Sequence, residues 1–284
     1  MSWNSFVAVG DSFTEGLDDR APSGHGYRGW ADLVATALAA AAEGAAANGV
    51  VAGCTAAEGG AAGGGLDGAG GGRFRYANLA VRGRLLGEAV REQVPLALSM
   101  RPGLVSFAAG GNDILRRNFD GDRLAGQFDR TIALLRECGA DVLVFRSADL
   151  TRRLPGRRIV GPRARILNDA VAAIAERHGA YLVDLWADAE LATNGLMWSV
   201  DRLHLSTAGH RRVAGQVLRV LGQAPDSAWL APAARPDPPS WPAARVADAR
   251  WAARYLAPWV KRRVIGRSSG DVVAAKRPAL TPLD

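Results

Sequence analysis

The stretch Phe6-Val7-Ala8-Val9-Gly10-Asp11-Ser12-Phe13-Thr14 decides the fold. An apolar run that stops at a glycine and an Asp-Ser pair reads as a strand buried on both faces, ending in a turn. Four later runs repeat the design, at 75–79, 104–108, 141–145 and 180–185, each closed by Gly, Asn or Asp. Helical patterns at 27–42, 84–94, 122–138 and 162–178 separate them, and a last one covers 207–221. Alternation of this kind predicts an α/β, doubly wound fold around a five-stranded parallel sheet. With the strand order 2-1-3-4-5, the turn after the first strand lies at the switch point, where open sheets of this class place their ligand sites.

Composition agrees with a globular chain. The 284 residues are 48% hydrophobic and 22% charged, enough for one sizeable core with an appendage. Two cysteines, Cys54 and Cys138, form no disulfide framework and no metal-ligand spacing, which fits a reducing compartment. Residues 1–5 carry no basic stretch followed by an apolar segment, and the Ala-rich run after Ala39 is interrupted by Glu43 and Gly44, so neither a leader nor a membrane span is read there. A cytoplasmic location is the expectation. Formal net charge is +7, but residues 245–267 hold seven basic residues against one acidic one, leaving the rest nearly neutral. Nucleic acid is therefore not an expected partner, and any electrostatic contact concerns that one segment.

Two regions depart from the βα rhythm. Residues 44–72 are dominated by Ala and Gly and read as a flexible surface insertion within a domain spanning 1–222. Residues 223–284 read as an appendage: a Pro/Ala linker at 224–242, a basic aromatic helix and a Pro-containing tail. On that helix Trp251, Tyr255 and Trp259 recur at i, i+4 and i+8, a stripe expected to dock on the main domain, with weak contact to a membrane surface or to a protein partner as the other reading. Pro258 is expected to break or kink it.

The segments at the ends of the strands carry the chemistry. Ser12 stands after the first; Gly83 lies in the segment after the second; Gly110-Gly111-Asn112-Asp113 comes after the third; Asp201-Arg202-Leu203-His204 precedes the last helix. A serine hydroxyl needs a base to take its proton, and His204 is one of four histidines. Asp201, three residues earlier, is placed to reach the imidazole Nδ1 and fix its tautomer. The backbone N–H groups of Ser12 and Gly83 and the Asn112 amide make a candidate oxyanion hole.

These four blocks resemble the SGNH hydrolase family, the GDSL esterases and lipases, whose Ser, Gly, Asn and His are matched in order by Ser12, Gly83, Asn112 and His204. The first block has Phe13 where the family's namesake motif has Leu. The resemblance implies a three-layer, flavodoxin-like α/β/α fold with an open site that uses no metal or cofactor. It also implies a serine esterase acting on carboxylic esters or thioesters through an acyl-serine. An acyltransferase would share every one of these residues, and a small-molecule ester is the expected substrate in either case.

Neighbouring residues have plainer readings. Asp11 and Asp113 are taken as turn residues satisfying backbone donors, and Asn78 as a brace for the loop that presents Gly83. His25 and Trp198 are candidate pocket residues. His178 and His210 are read as surface or capping histidines, and Cys138 as a buried, inert thiol. The arginines at 146, 152, 153, 157, 158, 163 and 165 read as a solvated face; an overhang favouring an anionic leaving group is the other reading.

Overall fold

The computed structural model describes residues 3–53, 73–151, 153, 156–235, 240–265 and 268–283. Strand β1 (Ser5–Gly10) is buried along its whole length, and its side chains alternate between two cores: Phe6 and Ala8 face one, Val7 and Val9 the other. It pairs in parallel with β2 (Arg75–Asn78) and β3 (Leu104–Ala108), and β4 (Asp141–Arg146) and β5 (Tyr181–Asp184) extend the parallel sheet beyond β3. The predicted order therefore holds, with one addition. A sixth strand, β6 (Arg277–Pro282), runs antiparallel on the outer edge of β2, giving β5-β4-β3-β1-β2-β6. Five strands were expected because a run carrying Pro278 and Pro282 reads as a tail; prolines are tolerated on a sheet edge, where one side of the strand needs no donors.

Single turns α1 (Ser12–Glu15) and α5 (Gly111–Ile114) follow β1 and β3. Helix α2 (Trp30–Gly53) packs with α8 (Ala189–Thr193), α9 (Thr207–Val220) and α10 (Ser227–Leu230) on the face of Phe6. The opposite face is covered by α3 (Leu86–Glu92), α4 (Val94–Met100), α6 (Gly121–Glu137) and α7 (Arg157–His178). Three layers result, as the alternation predicts.

Other boundaries move for local reasons. Helix α2 continues to Gly53, so the first part of the supposed insertion is helical; alanine, the best helix former, outweighs Gly44 and Gly49. Residues 54–72, Cys54 among them, lie outside the described residues. The helix expected at 84–94 is two, divided at Gln93, with Pro95 in the first turn of α4, where its missing N–H costs nothing.

Beyond residue 222 the chain stays on the main body. Leu230 of α10 closes over Gly215, where a Cβ would come within 2.9 Å of its Cδ2. Helix α11 (Trp241–Trp251) passes through a π-helical turn, Ala252–Leu256, into α12 (Ala257–Val264). Pro258 does not break this path: the widened turn before it absorbs the missing N–H and the clash with the preceding turn's carbonyl. Lys276 then pins the tail, donating to the carbonyl oxygens of Glu15 at 2.7 Å, Tyr27 at 3.1 Å and Arg28, and to the Asp32 carboxylate. No helix among the described residues is long and apolar enough to cross a membrane.

Candidate active site

The end of β1 is held from both sides. A Cβ on Gly10 would lie 2.5 Å from the Ala108 carbonyl oxygen and 2.7 Å from Thr14 Oγ1, so only glycine fits. Buried Gln93 grips the same residue on both sides, donating from Nε2 to Gly10 O and accepting the Gly10 N–H at Oε1, each at 2.9 Å. Asp11 then caps α1 by accepting the Phe13 N–H at 3.1 Å. Ser12 is thereby the first residue of a helical turn at the carboxyl edge of the sheet.

His204 reaches Ser12 from the loop before α9. Its Nε2 lies 3.0 Å from Ser12 Oγ, and its Nδ1 lies 2.5 Å from Asp201 Oδ2. The partners assign the tautomer: Nδ1–H donates to the carboxylate, which leaves the Nε2 lone pair for the serine proton. Asp201 Oδ1 also accepts the backbone N–H groups of Leu203 and His204, each at 2.9 Å, which closes the 201–204 turn. Burial raises the Asp201 carboxyl, but the bonds and charge of His204, together with those two N–H groups, outweigh it and hold the group at about 2. The carboxylate is therefore ionised at neutral pH.

Gly83 stands at φ +75° in the loop after β2, with the Ser268 hydroxyl 2.2 Å from where a Cβ would be. Two braces hold this loop. Asn78 accepts the Ala80 N–H at 3.1 Å and donates to Thr14 O at 3.0 Å, as its reading predicts. Glu15, buried at the end of α1, accepts the Arg82 N–H at 2.8 Å and pairs with the Arg82 guanidinium. That second brace went unread, because a glutamate three residues after a serine carries no signal of a partner 67 residues away.

Asn112 is differently occupied from its expected role. Its Nδ2 donates to Asp11 Oδ2 at 3.0 Å and to Arg84 O at 3.1 Å, so both amide protons already have acceptors. Desolvation pushes the Asp11 carboxyl up to about 6, against the lowering effect of the Phe13 N–H. Asp113 is a turn residue as read: its carboxylate takes the Leu86 N–H at 2.8 Å, an otherwise orphaned donor at the start of α3.

Two cavities open on Ser12, Asn112, Leu203 and His204. The first, of about 180 Å³, runs inward between the carboxyl ends of β3 and β4 and helices α6 and α7, past Phe107, Phe128, Leu167 and Val171. The second, of about 240 Å³, is walled by Gly83 and Asp201 and by Trp251, Tyr255, Leu256 and Trp259 of the C-terminal helices. The aromatic stripe thus docks on the main domain. Trp251 Nε1 donates to Asp201 O at 2.9 Å, and Arg202 stacks 4.8 Å over the Trp251 ring while pairing with Asp248 at 2.8 Å.

Several expectations are corrected. His25 sits in an exposed turn, bonded to Ser23 O at 3.2 Å, and lines neither cavity. Trp198 does line the inner cavity, held by Leu191 O at 2.8 Å and covered by Arg153 at 5.3 Å. His210 is not on the surface. It is buried, accepting the Trp30 N–H at 3.2 Å and bonding Leu17 O at 3.2 Å, and burial lowers it to about 4, so it is neutral structure. His178, the last residue of α7, does not cap it: its ring is half-buried and bonded to Asp129 of α6 at 2.8 Å, and Gly179 closes the helix end. Cys138 is exposed, since it falls in the last turn of an amphipathic helix on the solvent side. Of the loop arginines, Arg146 pairs with Asp184 and Asp169, and Arg163 donates to the carbonyls of Ile114 and Arg116.

Two further features were not anticipated. Ser199 Oγ bridges Asp18 Oδ2 at 2.5 Å and Asp201 Oδ1 at 3.2 Å. Asp18, Asp201 and His204 thereby bring ligand atoms within 4.8 Å of one another, but these atoms are engaged in the Ser199 and His204–Asp201 bonds. Gly266-Arg267-Ser268-Ser269-Gly270 has the spacing of a nucleophile elbow. Ser268, however, comes after a helix instead of a strand, and its hydroxyl accepts the Gly270 N–H at 3.3 Å.

Solved structures of the same architecture include the psychrotrophic esterase EstA from a Pseudoalteromonas species, at 15% identity and a TM-score of 0.51 over 80% of this chain and 98% of EstA. The acetylxylan esterase Axe2 from Geobacillus stearothermophilus aligns at 20% identity and 0.54, over 78% of this chain and 95% of Axe2. The hydrolase LAE5 from the metagenome of Lake Arreo, Spain, aligns at 19% and 0.54, over 78% and 96%. At these identities the likeness is one of fold, and about a fifth of this chain lies outside each alignment. No curated protein sequence matches the chain. The sequence pattern of the GDSL-like lipase/acylhydrolase family, however, matches residues 51–212, more than half of the chain, taking in Gly83, Asn112, Asp201 and His204. Since Ser12 precedes that stretch and meets His204 by geometry alone, fold and sequence pattern converge on one conclusion: the chain belongs to the GDSL-like lipase/acylhydrolase family and is an SGNH-type carboxylic ester hydrolase.

Proposed function

We propose that this hydrolase cleaves carboxylic esters or thioesters through an acyl-serine formed on Ser12. Ser12 Oγ attacks the carbonyl carbon while His204 Nε2 takes its proton. The C–O bond, or C–S in a thioester, then breaks as His204 returns that proton to the departing alcohol or thiol, and water, activated by the same nitrogen, releases the acid. Asp201 keeps Nδ1–H in place and balances the imidazolium that forms. The oxyanion falls to the Ser12 and Gly83 N–H groups and to Asn112, whose amide enters by exchanging its bond to Asp11 or to Arg84 O for one to the substrate. A single such donor is worth ~3–4 kcal/mol to the transition state.

The observation that carries this reading is the unbroken chain from Asp201 through His204 to Ser12, at 2.5 and 3.0 Å. Its test is labelling by a fluorophosphonate, with the modified peptide mapped. The label is expected on Ser12, with Ser12→Ala losing both label and at least ~10⁴-fold in kcat. Retained turnover in Ser12→Ala would overturn the mechanism. Release of free acid with no added alcohol distinguishes hydrolysis from acyl transfer to an alcohol acceptor.

A further inference from the structure

We infer that the second cavity is the subsite for the alcohol half of the substrate, and that it selects alcohols bearing an aromatic ring. The inference rests on the acyl-serine reading for its direction. In that mechanism the alcohol leaves first, from a place within reach of His204 Nε2; His204 lines both cavities, but the second is walled by half-exposed side chains past which an alcohol can depart. The inner cavity, enclosed by apolar core side chains, is left for the acyl group.

Selectivity for a ring arises from the wall. Trp251, Tyr255 and Trp259 come from one helical path, and each is only partly buried. In a regular α-helix, four residues at about 100° each overshoot a full turn by about 40°, so an i, i+4, i+8 stripe drifts around the axis. The π-helical turn Ala252–Leu256 lies inside this stripe and, being wider, takes out part of that drift. A local departure from the preferred helix is thus placed where it aligns three flat side chains on one cavity. Such walls favour flat partners, which stack offset or edge-on, over aliphatic chains of equal area.

The experiment compares ethyl and benzyl esters of butyric acid, whose alcohols are of similar basicity, with ethyl esters of acids of increasing length as the second series. The full-length protein is expected to favour benzyl over ethyl by roughly tenfold in kcat/KM. The double variant Tyr255→Ala/Trp259→Ala should lose that preference, its kcat/KM for benzyl butyrate falling to the level of ethyl butyrate, with the relative order of the acid-chain series unchanged. Tyr255→Phe and Trp259→Phe should retain it. An unchanged benzyl preference in the double variant overturns the inference, as does a shift in the acid series instead. Benzyl alcohol binding to each protein, read by tryptophan fluorescence, is measured alongside: saturable binding lost in the double variant supports the subsite, and none in the wild type overturns it. If no ester is turned over while benzyl alcohol still binds and the double variant loses that binding, it is the acyl-serine reading that fails, and the cavity stands as a site for aromatic alcohols.

Discussion

The two walls of the Ser12 cleft are made of different material. On the inner side, Phe107, Phe128, Leu167 and Val171 are nearly inaccessible and belong to the core between the sheet and helices α6 and α7. On the outer side, Trp251, Tyr255 and Trp259 stand half-exposed on helices none of whose described side chains joins either buried core. The outer wall is held by a few polar attachments: the Trp251 indole on Asp201 O, the Arg202–Asp248 pair and the Lys276 clamp. The inner wall therefore cannot change without disturbing the fold, whereas the outer one can. On the alcohol-subsite reading, specificity and stability fall to separate parts of the chain.

The most forceful way to break that comparison is to truncate the inner wall. Phe107 is fully buried and packs edge-on against Phe128, with ring centroids 5.0 Å apart. Phe107→Ala should cost about 3–5 kcal/mol of stability, because lost transfer energy and an unfilled cavity add. Denaturant unfolding measures it. A cost below about 1 kcal/mol would mean that the inner wall is as loosely built as the outer one.

A smaller effect separates the polar floor of the inner wall from its apolar lining. Asp11 is buried, and its carboxyl is pushed from 3.8 up to about 6. The unfolded chain therefore releases this proton at lower pH than the folded one does. Wild-type stability falls from this source as pH rises through that window, by about 3 kcal/mol at its fullest. Asparagine caps a helix as well as aspartate and does not ionise. Asp11→Asn should gain on wild type steadily between about pH 4 and 6 and hold a constant lead above about 7, in thermal unfolding across pH. Asp32, also raised to about 6, and His210 act equally in both proteins and cancel in the difference. A lead that shrinks as pH rises would contradict the burial argument.

How much of this was legible in the sequence also divides along the two walls. Strands buried on both faces announce themselves as short apolar runs, so β1 to β5, their order and the placing of Ser12, Gly83, Asn112 and His204 at one edge were all within reach. Asp201 was reachable because a three-residue turn needs no tertiary information. What the sequence hid depends on contacts distant along the chain. The Glu15–Arg82 brace and the Gln93 grip on Gly10 join residues 67 and 83 apart. The sixth strand was hidden by its prolines, and the accommodation of Pro258 by a π-helical turn has no local sequence signal. His25 misled because proximity to Ser12 along the chain is not proximity in space. Asn112 was identified as a residue, but nothing local says that its amide protons are already engaged by Asp11 and Arg84.

The subtlest test concerns the Trp251 indole, which joins the outer wall to the 201–204 turn. Trp251→Phe keeps an aromatic ring under Arg202 but removes the N–H that donates to Asp201 O at 2.9 Å. One neutral hydrogen bond is worth about 1 kcal/mol, and water can reach this half-exposed site to replace part of it. Global stability should therefore fall by no more than that. The outer wall, by contrast, loses its only side-chain bond to the backbone of the 201–204 turn among the described residues. We expect KM for the benzyl ester to rise while kcat for ethyl butyrate stays within about twofold, because Asp201 keeps its own bonds to Leu203, His204 and Ser199. A fall in kcat for both esters would show that the extension holds the catalytic turn itself in place, and the division of labour between the two walls would have to be redrawn.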